Sequence, residues 1–237
     1  PYSISLLSIL IFSTLIRVFS LSSPAGFIFD ERYHVPAIKL IAEGDERAFE
    51  WWHQPIYGKS NHDWLHPPVA KYIQAEFFKL GFGSIASWRM GSVVFGLIGI
   101  ILVYIFTSLL TGNRLTGLLS SLFLSLDGLW LVQSRVAMND VFVSVFLLMV
   151  SIFYLLFLKE RNKKYLDLTG IFLGISLATK WTAAFFIIGL LAFEIIKNLQ
   201  EKKNKNIPSV VFSFFILPIF IYLLSYLPAL LQGKNFN

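Results

Sequence analysis

The chain has 237 residues, 56% of them hydrophobic and only 14% charged, with a mean hydropathy of +0.67. Soluble domains carry about a quarter charged residues, so an ordinary soluble globular protein is excluded and the apolar surface must be buried in lipid. The 24 Phe, 6 Trp and 9 Tyr suit a bilayer and its interfaces. Cys is absent, which excludes disulfides, a thiolate nucleophile and any Cys-ligated metal site within the chain. The net charge of +6 does not signal nucleic-acid binding, because the basic residues gather in two short loops between apolar runs, as topology signals do.

A membrane span needs about 20 apolar residues. In chain order the candidates are 4–21, interrupted by Arg17, then 88–110, 115–132, 141–158 and 209–231. The segment 165–197 is too long for one span and short for two. A hairpin keeps the basic loops 159–164 and 202–205 on one side, as the positive-inside rule prefers. Its arms of about 15 residues reach only about 23 Å, so the tip Thr179-Lys180-Trp181 should sit recessed below the outer surface. The expected fold is an all-α polytopic membrane protein of about seven transmembrane segments, with the N-terminus inside and a long outer loop at 22–87. The chain starts at Pro1 and stops just after an apolar run, so it reads as a fragment.

The outer loop holds all four His, three of the six Trp and eight of the fourteen acids. Two amphipathic helices are expected in it, at 33–43 and 68–80, lying on the membrane surface or roofing the bundle. Pro36 is tolerable only if it falls in a first turn.

Several residues carry chemistry. Asp30-Glu31 follows the first span; a carboxylate there either caps the next helix or serves a site, since it is costly at a membrane face unless used or paired. His62 and His66, four apart, have a metal-like spacing, but Pro67-Pro68 forces an extended backbone at His66, so a rigid turn is expected and no metal. Arg89 opens the second span. Arg135 lies in an outer turn between Asp127 and Asp140, and Lys180 tips the hairpin. Each cation alone could merely snorkel. Together, at the outer ends of different segments, they could converge on an anion at headgroup depth, and a lipid-linked phosphate is the natural one. With a carboxylate on the same face, this describes group transfer from a lipid phosphate carrier.

Five blocks in order resemble the protein O-mannosyltransferase family of the C-type membrane glycosyltransferases. They are Phe29-Asp30-Glu31, Leu65-His66-Pro67-Pro68-Val69-Ala70-Lys71, Trp88-Arg89, Leu126-Asp127-Gly128 with Gln133-Ser134-Arg135 and Asp140, and Gly174-Ile175-Ser176-Leu177-Ala178-Thr179-Lys180-Trp181. The resemblance implies one membrane-embedded catalytic core over 1–237, the N-terminal part of a longer chain. It implies inverting transfer of mannose from a polyprenyl (dolichyl) phosphate mannose to a Ser or Thr hydroxyl of a protein on the outer or lumenal face. Asp30 matches the catalytic carboxylate that takes the hydroxyl proton, Glu31 its paired acid and Arg89 a functional arginine. Charge and depth assign Arg135 and Lys180 to the donor phosphate, with His66, Asp127, Asp140 and Trp181 shaping the site. The Glu50-Trp51-Trp52-His53-Gln54-Pro55 insert has no family role.

No cofactor is expected, the lipid-linked donor being a substrate. The partners are that donor, an acceptor protein and the bilayer, with a homo- or heterodimer compatible and nucleic acid excluded. The alternatives are a transferase with a lipid or glycan acceptor, and a transporter; against the latter, the charges gather on one face. The Lys/Asn-rich loop and short inner connections favour a prokaryotic plasma membrane over the endoplasmic reticulum membrane of a eukaryote.

Overall fold

A computed structural model describes residues 2–49, 66–201 and 207–232. The Trp-rich insert at 50–55, His62, Leu65 and the basic loop 202–205 lie outside the described residues. Among the described residues the chain forms helices and no strand.

Helix α1 (Tyr2–Val18) exposes Ile4, Leu7, Ile11 and Leu15 along one stripe, the spacing of an apolar helix face. The segment after α1 then forms α2 (Glu31–Glu43), one 3-10 turn (Glu46–Phe49) and α3 (Val69–Leu80). Helix α2 begins two residues earlier than the expected 33, so Pro36 lies in its second turn and not its first. Proline has no amide hydrogen, so the Arg32 carbonyl loses its i+4 partner. Packing offsets this: Val35, Pro36, Ala37 and Ile38 are all buried. Val35 and Ile38 meet Ala75 and Phe78 of α3, and Trp88 and Ala137 complete the cluster. The two amphipathic helices therefore bury their apolar faces against each other and the bundle.

Helix α4 (Ile85–Thr111) starts at an N-cap Ser84 and ends at Gly112, whose φ of 70° few other residues adopt readily. At 27 residues it is about 40 Å long, enough to cross a bilayer. The expected single span at 115–132 is instead two helices, α5 (Arg114–Leu126) and α6 (Gly128–Gln133). Asp127 separates them: its backbone is extended, and its carboxylate accepts from the Trp130 amide at 2.7 Å, so it caps α6 rather than continuing α5.

Helix α7 (Asp140–Glu160) is followed by α8 (Lys163–Leu177) and α9 (Ala183–Glu201). The break between α8 and α9 contains the expected tip, Thr179-Lys180-Trp181. The last elements are α10 (Ile207–Val211), a π-helical turn (Phe212–Ile216), α11 (Leu217–Ser225) and α12 (Leu227–Gln232). Among the described residues, the helical stretches Ile85–Thr111, Asp140–Glu160 and Pro208–Ser225 are long and apolar enough to cross a membrane; α1 and α5 are apolar but shorter.

Helices in lipid associate by close packing rather than by escape from water. Helix α4 shows this with Gly96 and Gly99. A Cβ on Gly96 would lie 2.3 Å from Ser134 Cβ, and one on Gly99 would lie 2.3 Å from the Trp130 ring. The two glycines therefore let α6 and the turn after it seat directly on α4. That turn, 134–139, leads into the N-terminus of α7 and carries Ser134 and Arg135.

Candidate active site

Two adjacent carboxylates have opposite fates. Glu31 is fully buried. Its Oε1 accepts from Arg89 Nε at 2.8 Å and from the Ala137 amide at 3.0 Å. Its Oε2 accepts from Arg89 Nη2 at 2.8 Å and from the Ile28 amide at 2.9 Å. Arg89 donates in addition to the carbonyls of Leu21, Pro24 and Gly26, so this planar donor fork ties the 21–26 loop to Glu31. Both side chains are turned inward and neither presents a polar atom to solvent.

Asp30 precedes α2 but does not cap it; its side chain makes no capping hydrogen bond. The capping alternative therefore fails. Its carboxylate, half-buried, has no hydrogen bond or ion pair to any described residue. The backbone beneath it is nonetheless fixed, because the Asp30 carbonyl accepts from the Tyr33 and His34 amides and the neighbouring residues are held by the Glu31–Arg89 clamp.

The 133–140 stretch is where the blocks meet. Glu31 reaches it at Ala137. Arg17, fully buried in α1, donates from Nε to Ser134 Oγ at 2.9 Å. Arg135 folds back on the end of α1, donating to the Ile16 carbonyl at 3.1 Å and the Phe19 carbonyl at 2.7 Å. Lys180 Nζ pairs with Asp140 Oδ1 at 2.7 Å. The His66-Pro67-Pro68 turn joins the same assembly, since the Val69 amide donates to the Ala178 carbonyl at 3.1 Å. His66 stands beside His34 with ring centroids 5.6 Å apart, and its carbonyl accepts from Lys71 Nζ. Trp181 Nε1 donates to the Tyr222 hydroxyl at 3.1 Å. Asp127 and Asp140 both line a cleft of about 260 Å³ between α5, α6 and α7. Among the described residues no hydrogen bond or ion pair joins Asp30 to Arg135 or Lys180.

In the sequence Arg17 stands only as an interruption of the first span and Gln133 only within a family block, neither with a role, and Trp130 and Tyr222 are not singled out. The signal for Arg17 was available: an arginine inside an apolar span is expensive unless it is used. The others gave none, because an amide or aromatic residue in an apolar run is unexceptional.

A family model described as dolichyl-phosphate-mannose-protein mannosyltransferase matches residues 65–226, more than half of the chain. The chain belongs to this family. It is 26% identical over 253 aligned positions to a polyprenol-phosphate-mannose–protein mannosyltransferase of Mycolicibacterium smegmatis, covering 90% of this chain and 47% of that one. A Corynebacterium glutamicum protein of the same description is 24% identical, over 92% and 49% of the two chains. The chain thus spans about half the length of these relatives. A solved structure of the Saccharomyces cerevisiae protein O-mannosyltransferase Pmt1-Pmt2 complex bound to the sugar donor superposes with a TM-score of 0.77. Its identity is 18%, and it covers 98% of this chain and 34% of that one, so the likeness is one of fold.

Proposed function

We propose that this chain carries the catalytic core of an enzyme that moves mannose from a polyprenyl phosphate mannose to a Ser or Thr hydroxyl of a protein, on the outer face of the membrane. The observation that supports this reading best is the division between Asp30 and Glu31. One carboxylate is buried and fully bonded; its neighbour is held on a fixed backbone with its oxygens unengaged. A general base must be free to take a proton and rigidly placed to take it.

In this reading the Asp30 carboxylate accepts the proton of the acceptor hydroxyl as its oxygen attacks the anomeric carbon. The bond from that carbon to the donor phosphate breaks on the opposite face, so the configuration inverts. The leaving polyprenyl phosphate carries the negative charge, and Arg135 and Lys180 stabilise it. Lys180 has two further N–H groups beside the one it gives Asp140, and Arg135 has three besides the two on the Ile16 and Phe19 carbonyls. Glu31 and Arg89 act as positioning residues beneath Asp30. The reading requires no metal, since these two cations supply the positive charge. The bacterial relatives favour a plasma membrane, and the two-chain yeast complex makes a dimer the assembly to look for.

The test uses the full-length protein in membranes, labelled polyprenyl phosphate mannose and a Ser/Thr-rich peptide. Label on the peptide with the wild type and none with Asp30→Asn is the expected result. Label transferred to lipid instead would establish the alternative acceptor class.

A further inference from the structure

We infer that Phe29 selects among acceptors: its ring binds an apolar side chain beside the acceptor Ser or Thr, and its strained backbone holds Asp30 at the hydroxyl. The inference rests on the function proposed above.

Phe29 has a φ of 53°, in the left-handed region where a bulky residue is an outlier. It occupies the first central position of a reverse turn closed by the Glu31 amide on the Ile28 carbonyl at 3.0 Å, and Asp30 occupies the second. Positive φ at the first central position of a turn ordinarily calls for glycine. The turn cannot relax, because it is fixed on both sides. The Ile28 amide donates to Glu31 Oε2 at 2.9 Å, the Phe27 ring lies 5.7 Å from that of Trp88, and the Asp30 carbonyl accepts from two α2 amides. Strain of this kind persists only where the surroundings impose it, and it gathers at active sites and ligand contacts. Packing does not account for the phenylalanine. Its side chain is 74% exposed, and glycine would serve the backbone better. The ring therefore acts on something outside the fold.

The position of the ring singles out the acceptor. Phe29 and Asp30 have Cα atoms about 3.8 Å apart, so what meets the ring lies close to what meets the carboxylate. In the proposed inverting transfer the base stands on the acceptor side of the anomeric carbon, and the lipid phosphate leaves from the opposite side. The ring thus faces residues flanking the acceptor hydroxyl, and an apolar side chain there gains by leaving water. A bilayer anchor needs an exposed aromatic residue but no strain beside the base. Phe82, in the turn after α3, supplies the control: it has a φ of 54° and is 98% exposed, but glycines and no carboxylate flank it.

The test uses the full-length protein in membranes, labelled polyprenyl phosphate mannose, and two peptides whose single Thr is flanked by leucine in one and asparagine in the other. The wild type should favour the leucine peptide by about tenfold in kcat/KM, the lower end for burying one apolar side chain. Phe29→Ala should abolish the preference by raising the KM of the leucine peptide alone, with the donor KM unchanged, and Phe82→Ala should keep it. Phe29→Gly should also lose the preference. It should melt above Phe29→Ala, because only glycine is at ease with this φ, and its kcat should fall below that of Phe29→Ala, because the freed turn no longer fixes Asp30. A glycine variant that melts no higher and turns over as fast would overturn the backbone half of the proposal. A wild type without preference, or a preference that Phe29→Ala retains, would overturn the ring contact and leave the proposed function standing. Equal losses on both peptides in Phe29→Ala and Phe82→Ala, recovered in detergent, would make the ring a bilayer anchor and overturn its contact with the acceptor. Failure of the wild type to label either peptide would defeat the proposed function, and this inference with it.

Discussion

Glu31 and Arg89, 58 residues apart, meet through two parallel hydrogen bonds of 2.8 Å with both side chains out of solvent. Pairs of this kind are poor sources of net stability but strongly destabilising to break, because the survivor is left as a buried charge. Arg89→Ala would strand Glu31 and release three loop carbonyls. We expect a loss of about 3–5 kcal/mol in global stability, read by thermal unfolding in detergent. Arg89→Lys should rescue little, since an ammonium cannot reproduce the bidentate fork. A lysine variant as stable as the wild type would remove the clamp from the account.

Asp30→Asn should behave in the opposite way. No native bond is lost with the carboxylate, so the thermal midpoint and donor binding should stay within error of the wild type. Turnover should fall by about a hundred- to ten-thousandfold, the usual contribution of general base catalysis. Turnover maintained above a tenth of the wild type would take the base assignment away from Asp30.

Lys180 and Arg135 are expected to act on the donor. Lys180→Ala and Arg135→Ala should each raise the donor KM while leaving the KM of the peptide acceptor unchanged. Lys180→Ala also leaves the Asp140 carboxylate uncompensated beside the proposed phosphate site. Adding Asp140→Asn to it should therefore restore part of the donor affinity, about threefold to tenfold for a removed like charge near the surface. Equal donor KM values across all these variants would defeat the phosphate assignment.

Chelation should leave turnover intact. The assay is mannose transfer after exhaustive EDTA treatment and dialysis, with and without added Mg²⁺ or Mn²⁺. A loss that either ion restores would place a metal in the reaction.

Tyr72 supplies a pH signature of the roof. Its hydroxyl donates to the Ser225 carbonyl at 3.1 Å, and burial pushes its pKa up to about 12. The unfolded phenol ionises near 10. The folded state therefore holds the proton longer, and its stabilisation is complete below pH 10 and is lost as the pH rises toward 12. Tyr72→Phe should flatten the alkaline loss of stability in that window; an unchanged alkaline profile would show that another group governs it.

Composition alone determined that the chain belongs in a membrane, because so few charges cannot solvate so much apolar surface. Periodicity located α2 and α3 within two residues of their observed starts, since an amphipathic stripe repeats every turn. The charged tip around Lys180 marked the break between α8 and α9. The break at Asp127 was missed: an Asp in an apolar run reads equally as a residue within a span or as a cap, and only the bond to the Trp130 amide decides. The same holds at the site. Asp30 and Glu31 are chemically near-equivalent neighbours in sequence, and only the family resemblance distinguished the catalytic carboxylate from its paired acid. The tertiary structure separated them, because a carboxylate's role depends on which donors reach it. Arg89, Ile28 and Ala137 converge on Glu31 from three parts of the chain, and none reaches Asp30. Long-range hydrogen bonds of this kind leave no local periodicity to read.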